Sequence, residues 1–192
     1  MHVFPVETPR LSMRPIVPAD APLYEHLYTD AETMRFIGTP LSAERAAKSF
    51  RSALAGMQRP PIERLFLTVV EKASRTDVGI CSLQNLDPAE RSVQAGVMFI
   101  QAARAKGYSK EGFTGLIHQV FAQLPVDELW VQFATDHVAV QRAVLSVGFV
   151  RRVRAAGRDG ACQRNGQEDG QGNAWSVHRG SWSPPSAFRN AR

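Results

Sequence analysis

Phe113, Leu116, Ile117, Val120, Phe121 and Leu124 recur at the spacings i, i+3, i+4, i+7, i+8 and i+11, which sets them along one face of an α-helix. Three short runs come before it: Leu65 to Val70, Val78 to Leu83 and Ser92 to Phe99. The first is β-branched and aromatic and too short for a separate globular helix. The three read as strands, joined by the polar connections 73–77 and 86–90. Pro125 ends the helix. Leu129, Val131 and Phe133 then alternate as a further strand, and Ala139, Ala143, Val144 and Val147 recur as a short helix closed by Gly148. An antiparallel meander followed by a β-α-β-α run gives a mixed sheet with helices packed on it.

The ends of the chain are less regular. Arg10 to Arg14 alternates polar and apolar residues before Pro15 and Pro18 and reads as a first strand. Leu23 and Leu27 mark a helix over 20–29, Asp30 can cap a short turn through Met34, and Ser42 opens a longer helix that ends near Gly56 and must stop before Pro60. Residues 157–173 are rich in Gly, Gln, Asn and charge and read as a mobile loop. Trp175 to His178, with Trp182, suggests a last strand paired with residues 149–153, after which Pro184 and Pro185 begin a disordered tail over 184–192.

With 192 residues, 44% hydrophobic and 21% charged, the chain suits one domain, placed at residues 8–183. No stretch approaches the ~18 apolar residues of a membrane span, and residues 1–7 lack the pattern of a secretory signal, so a soluble cytoplasmic protein is expected. Cys81 and Cys162 lie far apart, without metal-ligand spacing, and read as reduced thiols. The five histidines form no metal motif, so no metal is expected. The net charge of +5 resides in residues 150–192, where eight arginines face three carboxylates. Gly, Gln and Asn dilute those charges, and no aromatics interleave with them at regular spacing. That favours a solvated tail over a nucleic-acid surface.

The chemistry gathers between Phe99 and the helix that starts near Ser109. Main-chain N–H groups at a helix start are unpaired and positively polarised, so this loop can cradle a pyrophosphate. Gly107 permits close approach, Ser109 caps, and Arg104 and Lys106 add charge. A solvated basic turn is the plainer interpretation of the same residues.

Arg104-Ala105-Lys106-Gly107-Tyr108-Ser109 resembles the acetyl-CoA motif of the GNAT superfamily, Arg/Gln-x-x-Gly-x-Gly/Ala between a strand and a helix, with Ser109 at the last small position. Thr135 to Arg142, ending at Gly148-Phe149, resembles the family's Asp-Asn-x-x-Ser-x-Arg…Gly-Phe segment. Thr8 to Pro15 resembles the Thr-x-Arg-Leu-x-Leu-Arg opening of the branch that acetylates protein N-termini, ribosomal proteins and small amines. The three motifs stand in order and span residues 8–153.

The resemblance implies an α/β (α+β) GNAT fold: a mixed, mostly antiparallel central sheet of about six to seven strands, helices on both faces, and a V-shaped splay between two parallel strands. It implies an acetyl-CoA-dependent N-acetyltransferase in which a primary amine, a protein N-terminus or a small molecule, attacks directly in a ternary complex. The implied cofactor contacts are Val97, Met98, Phe99, Arg104, Ala105, Lys106, Gly107, Tyr108, Ser109, His137 and Arg142. The N–H near Phe99 would polarise the thioester carbonyl. Three family positions differ: a frequent Glu is Gln94, the cofactor-contacting Asn is His137, and the Ser is Val140, while Leu145 stands where other branches carry a tyrosine acid. Gln94 cannot be a base and Val140 cannot donate a proton. His137 has three open roles, namely base, cofactor contact and plain helix-start residue, and Asp136 is either an N-cap or a base. Tyr108 suits packing as well as cofactor contact, and Glu111 favours the helix dipole. Phe36, Ile37, Gln94 and Trp175 are the implied acceptor walls, with core packing as the other role for the aromatics. A catalytically impaired, GNAT-derived acyl-CoA-binding or regulatory domain is the alternative. A monomer or a homodimer is expected.

Overall fold

The computed structural model describes residues 5–59, 64–152 and 173–185. Among them, eight strands form one sheet: β1 (Val6–Glu7), β2 (Leu11–Pro15), β3 (Leu65–Glu71), β4 (Thr76–Asp87), β5 (Ser92–Phe99), β6 (Glu128–Phe133), β7 (Val150–Arg151) and β8 (Asn173–His178). Their order is β1-β2-β3-β4-β5-β6-β8-β7. Only β5 and β6 run parallel; the other neighbours are antiparallel. The count exceeds six to seven because β1 and β7 are two residues long, too short for an alternating pattern. Thr8 closes the β1–β2 turn, its N–H donating to the Leu11 carbonyl at 2.9 Å and its hydroxyl accepting from the Leu11 N–H at 2.8 Å.

Side-chain alternation divides the sheet into two faces. Leu11, Met13, Leu67, Val69, Cys81, Leu83, Val93 and Ala95 pack with α4 (Tyr108–Gln123), whose Leu116, Ile117 and Val120 are fully buried. Each such side chain contributes about 1.5–3 kcal/mol by leaving water. The opposite face carries Phe66 and Ile80 against Tyr24 and Leu27 of α1 (Ala21–Thr29) and Phe50 of α3 (Ala43–Met57). Helices thus cover both faces. Two shorter ones complete the fold, α2 (Ala31–Met34) and α5 (Val138–Leu145).

Local chemistry explains the boundaries. Asp30 accepts from the Thr33 N–H at 2.7 Å and starts α2; Ser42 accepts from Arg45 N–H at 3.3 Å and starts α3. Asp20, 2% exposed, is held by both guanidinium NH groups of Arg14, the Val17 N–H and the Thr68 hydroxyl, all within 2.8 Å. Burial pushes its pKa up, but these donors outweigh burial and the net shift is downward. That carboxylate fastens the β2–α1 junction to β3.

The last strand differs from the sequence expectation. β8 stops at His178, and Trp182 turns back onto the α4 side, 6.2 Å from the Phe121 ring. Arg179 fixes this turn by donating to the carbonyls of Leu124 and Val126 at 2.8 and 2.7 Å. Pairing with residues 149–153 is realised as Val150↔Ser176 and Arg151↔Trp175. The sequence-expected mobile loop over 157–173 and the disordered tail over 184–192 fall largely outside the described residues.

Candidate active site

The parallel pair that should open does so early. β5 and β6 are registered at Ser92↔Glu128, Val93↔Leu129 and Gln94↔Trp130 and no further. From Ala95 to Phe99, β5 stays paired to β4, through Cys81↔Val97, Ile80↔Met98 and Gly79↔Phe99, while β6 continues against β8. The two strands therefore diverge as a V with its apex at Gln94 and Trp130. Strand backbone groups alternate between the two edges, so the β6-facing edge at Val97, Met98 and Phe99 offers main-chain donors and acceptors to an extended ligand.

At the open end of β5 the chain makes a short 3-10 turn over Gln101–Ala103 and reaches the basic loop. Ala105 has φ +61° and Gly107 φ +77°, left-handed values that Gly adopts freely and Ala does not. The first helical bond of α4 runs from Glu111 N–H to the Gly107 carbonyl at 3.3 Å. The N–H groups of Tyr108, Ser109 and Lys110 thus have no intrahelical acceptor and are directed at the loop. Gly107, not Ser109, is the residue flanking the helix; Ser109 lies inside its first turn. The earlier start follows from the αL conformation of Gly107, which breaks the extended loop two residues before Ser109.

Two carboxylates hold this loop from behind. Glu111 accepts from the Thr8 hydroxyl at 2.7 Å and from Arg10 N–H and Nε at 2.7 and 2.6 Å, and Arg10 also donates to the Lys106 carbonyl at 3.0 Å. Glu71 accepts from Ser74 at 2.5 Å, from the Tyr108 hydroxyl, and from Lys106 Nζ at 3.4 Å. Hydrogen bonds from Ser74 and Tyr108, with the Lys106 charge, take its pKa from 4.5 to about 2. Tyr108 is therefore a packed anchor, its ring 4.8 Å from the Arg10 guanidinium. No sequence pattern singles out Glu71 or Arg10 for this task, because their partners lie 37 and 101 residues away.

His137 and Phe36 meet across the mouth of the V with ring centroids 4.1 Å apart and planes 26° apart. Arg104 joins them from the loop, its guanidinium donating to the Thr33 hydroxyl at 2.7 Å. Burial lowers the imidazole pKa below 6.5, and Arg104 adds to that against the opposing pull of Asp136. Asp136 does not cap α5: His137 flanks the helix without a side-chain capping bond, and the Asp136 carbonyl accepts from Val138 N–H at 2.8 Å. Arg142 and Leu145 are exposed on α5, and Val140 packs on the core. Ile37 is 43% exposed beside Phe36.

Gln94 and Trp175, grouped by sequence, lie on opposite faces. Trp175 neighbours Val131, packs in the α4-side core and stacks on Phe133 at 6.4 Å. The aromatic beside Gln94 is Trp130, its ring 4.6 Å from the Arg152 guanidinium, which binds Glu128 at 2.9 and 2.6 Å. Cys81 is buried within the sheet, which pushes its thiol up to about 12. Among the described residues no group of three or more His, Cys, Asp or Glu can hold a metal ion, and no helix is long and apolar enough to cross a membrane.

A family model described as acetyltransferase (GNAT) domain matches residues 10–150. Solved structures share the fold. An acetyltransferase from Agrobacterium tumefaciens str. C58 is 17% identical with a TM-score of 0.72, over 91% of this chain and 94% of that one. The RimL ribosomal L7/L12 alpha-N-protein acetyltransferase in complex with coenzyme A is 13% identical with a TM-score of 0.71, over 92% and 98%. Spermidine N-acetyltransferase from Vibrio cholerae in complex with CoA and spermine is 13% identical with a TM-score of 0.70, over 89% and 96%. No curated protein sequence matches the chain.

Proposed function

The chain belongs to the GNAT acetyltransferase family, and we propose that its single domain moves an acetyl group from acetyl-CoA to a primary amine by direct attack in a ternary complex. One observation carries this reading. The β5 edge freed beyond Gln94 runs straight into a left-handed loop whose helix-start N–H groups stand unpaired. The edge suits a pantetheine amide arm and the loop suits a pyrophosphate. Arg104, Lys106 and Gly107 are the loop residues assigned to the anion, and the Phe99 N–H is assigned to the thioester oxygen. Because the amine attacks the carbonyl carbon directly, the protein has two proton tasks: removing one from the ammonium and supplying one to the leaving thiolate. Neutral His137 at the mouth is assigned the first.

The experiment is incubation of the purified protein with acetyl-CoA and a panel of amines, reading free thiol. Acceptor-dependent release is the expected result. A specific feature favours the second reading, a CoA-binding domain with impaired catalysis: position 94 carries an amide already engaged by Asn85 rather than a carboxylate. CoA-induced thermal stabilisation with no thiol release from any amine would establish that reading and remove the first.

A further inference from the structure

Gln94 sits at the last registered rung of the β5–β6 pair, where the V begins. It is 1% exposed, so its side-chain amide has been taken out of water. Its Oε1 accepts from Asn85 Nδ2 at 2.6 Å, but its Nε2 has no hydrogen-bond partner among the described residues. Leaving a buried donor unpaired forfeits its hydration with nothing in return, and such a group in a native fold asks for a reason. The local backbone is also bent to hold the pair. The β4–β5 register shifts between Gln84 and Asp87, and Asn85 within that bulge has φ +53°. Bulges beside sites re-aim side chains, and Asn is one of few residues that tolerate the left-handed conformation.

The surrounding charges narrow what the orphan donor can serve. Trp130, 8% exposed, is its neighbour on β6, and Arg152 lies over the indole. Glu128, the carboxylate on this stretch of β6, is bound through both oxygens to Arg152. The apex therefore offers one unpaired N–H donor beside an ion pair whose two charges cancel. Such a wall attracts an oxygen acceptor and offers little to a second ammonium group.

Resting on the acetyl-transfer reading above, we propose that the Gln94–Asn85 pair selects acceptors whose reacting amine stands next to an amide carbonyl, as the α-amine of a peptide does, over polyamines. Gln94 Nε2 donates to that carbonyl oxygen while the amine faces the splay. Amine acidity supports the same choice. An α-amine has a pKa of about 7.7–8.0 against about 10.4 for an alkyl ammonium. Near neutral pH roughly one α-amine in seven is uncharged, against roughly one alkylamine in 2,500. A site that has an amide where a carboxylate base could stand works best on the nucleophile that needs least deprotonation.

The test uses the full chain, acetyl-CoA, and three probes: a short peptide with a free N-terminus and no lysine, the same peptide with a blocked N-terminus and one lysine, and spermidine. The free α-amine is expected to exceed both others at least tenfold in kcat/KM. Gln94→Leu should raise KM for the peptide at least tenfold while KM for acetyl-CoA stays within about twofold, and Gln94→Glu should shift preference toward spermidine. If spermidine or the lysine peptide is the best wild-type acceptor, or if Gln94→Leu leaves the peptide KM unchanged, the proposal fails although acetyl transfer stands. The wild-type ranking decides alone should Gln94→Leu not fold. Absence of thiol release with every probe overturns the acetyl-transfer reading, and this one with it.

Discussion

His137 brings several opposing effects together in one side chain. Its ring loses solvent to the Phe36 face at 4.1 Å, and burial lowers its pKa below 6.5 against the upward pull of Asp136, with Arg104 reinforcing the decrease. A lowered imidazole pKa means that the neutral, proton-accepting form prevails at neutral pH and is lost only as pH falls through the shifted value. If His137 takes the proton from the attacking amine, kcat/KM for the acceptor rises with pH through a limb centred below 6.5. His137→Ala should abolish that limb, leaving only the limb set by the amine's own ionisation, while CoA affinity stays within about twofold. The same limb in both proteins would assign it to another group. Tyr108 differs in kind, since its hydroxyl is engaged by Glu71, which raises its pKa and makes it a poor proton source for a thiolate.

The site is assembled by elements more than by any one residue, and its weakest geometric tolerance is in β4. Gly79 is registered with Phe99, and a Cβ at Gly79 would collide with the Met98 carbonyl oxygen. That obstacle is backbone, so it cannot swing aside as a flexible side chain would. Gly79→Ala should therefore cost about 1–3 kcal/mol, lowering Tm by roughly 2–12 °C at ~2–4 °C per kcal/mol for a chain of this size. It should also raise KM for acetyl-CoA, because β4 is the strand that pairs with Val97 to Phe99 once β6 has diverged. Thermal unfolding together with KM would check both halves; a lowered Tm with unchanged KM would separate the β5 edge from cofactor binding. Much of this element level is legible in sequence. The i, i+3, i+4 stripe of α4 and the runs over 65–70 and 92–99 lie within a residue or two of the observed bounds, because periodicity records which side chains are buried. Pairing between distant segments leaves no such record. The Asn85 bulge, the Arg152–Trp130 contact and the Glu71 and Glu111 clamps arise from register, so Trp130 goes unnoticed while Trp175, equally aromatic, is taken for a wall. Ser109 and Asp136 illustrate a local version: both are good capping residues by type, yet the backbone places Gly107 and His137 at those helix starts.

Among the described residues the strands form a single sheet whose one parallel pair parts beyond Gln94, and that parting is where an acyl-CoA is assigned. The freed β5 edge, the 104–109 loop, the start of α4 and the diverging β6 border the opening, and β5 pairs with β6 only from Ser92 to Gln94. A ligand spanning all four would act as a cross-brace for the folded state and would bind the unfolded chain negligibly. Such a ligand at 100 times its Kd stabilises by about 2.7 kcal/mol, which for this chain is a Tm increase of roughly 5–11 °C. Gly107→Glu gives the control. It forces a side chain onto φ +77° and brings a negative charge to the anion loop, so CoA affinity should fall at least tenfold, about 1.4 kcal/mol. At the same ligand concentration the CoA-induced shift in that variant should be no more than about half the wild-type shift, measured against its own ligand-free Tm. A wild-type protein whose Tm does not respond to CoA would remove the cofactor from the V. Equal shifts in the two proteins would leave CoA bound but move its pyrophosphate away from Gly107.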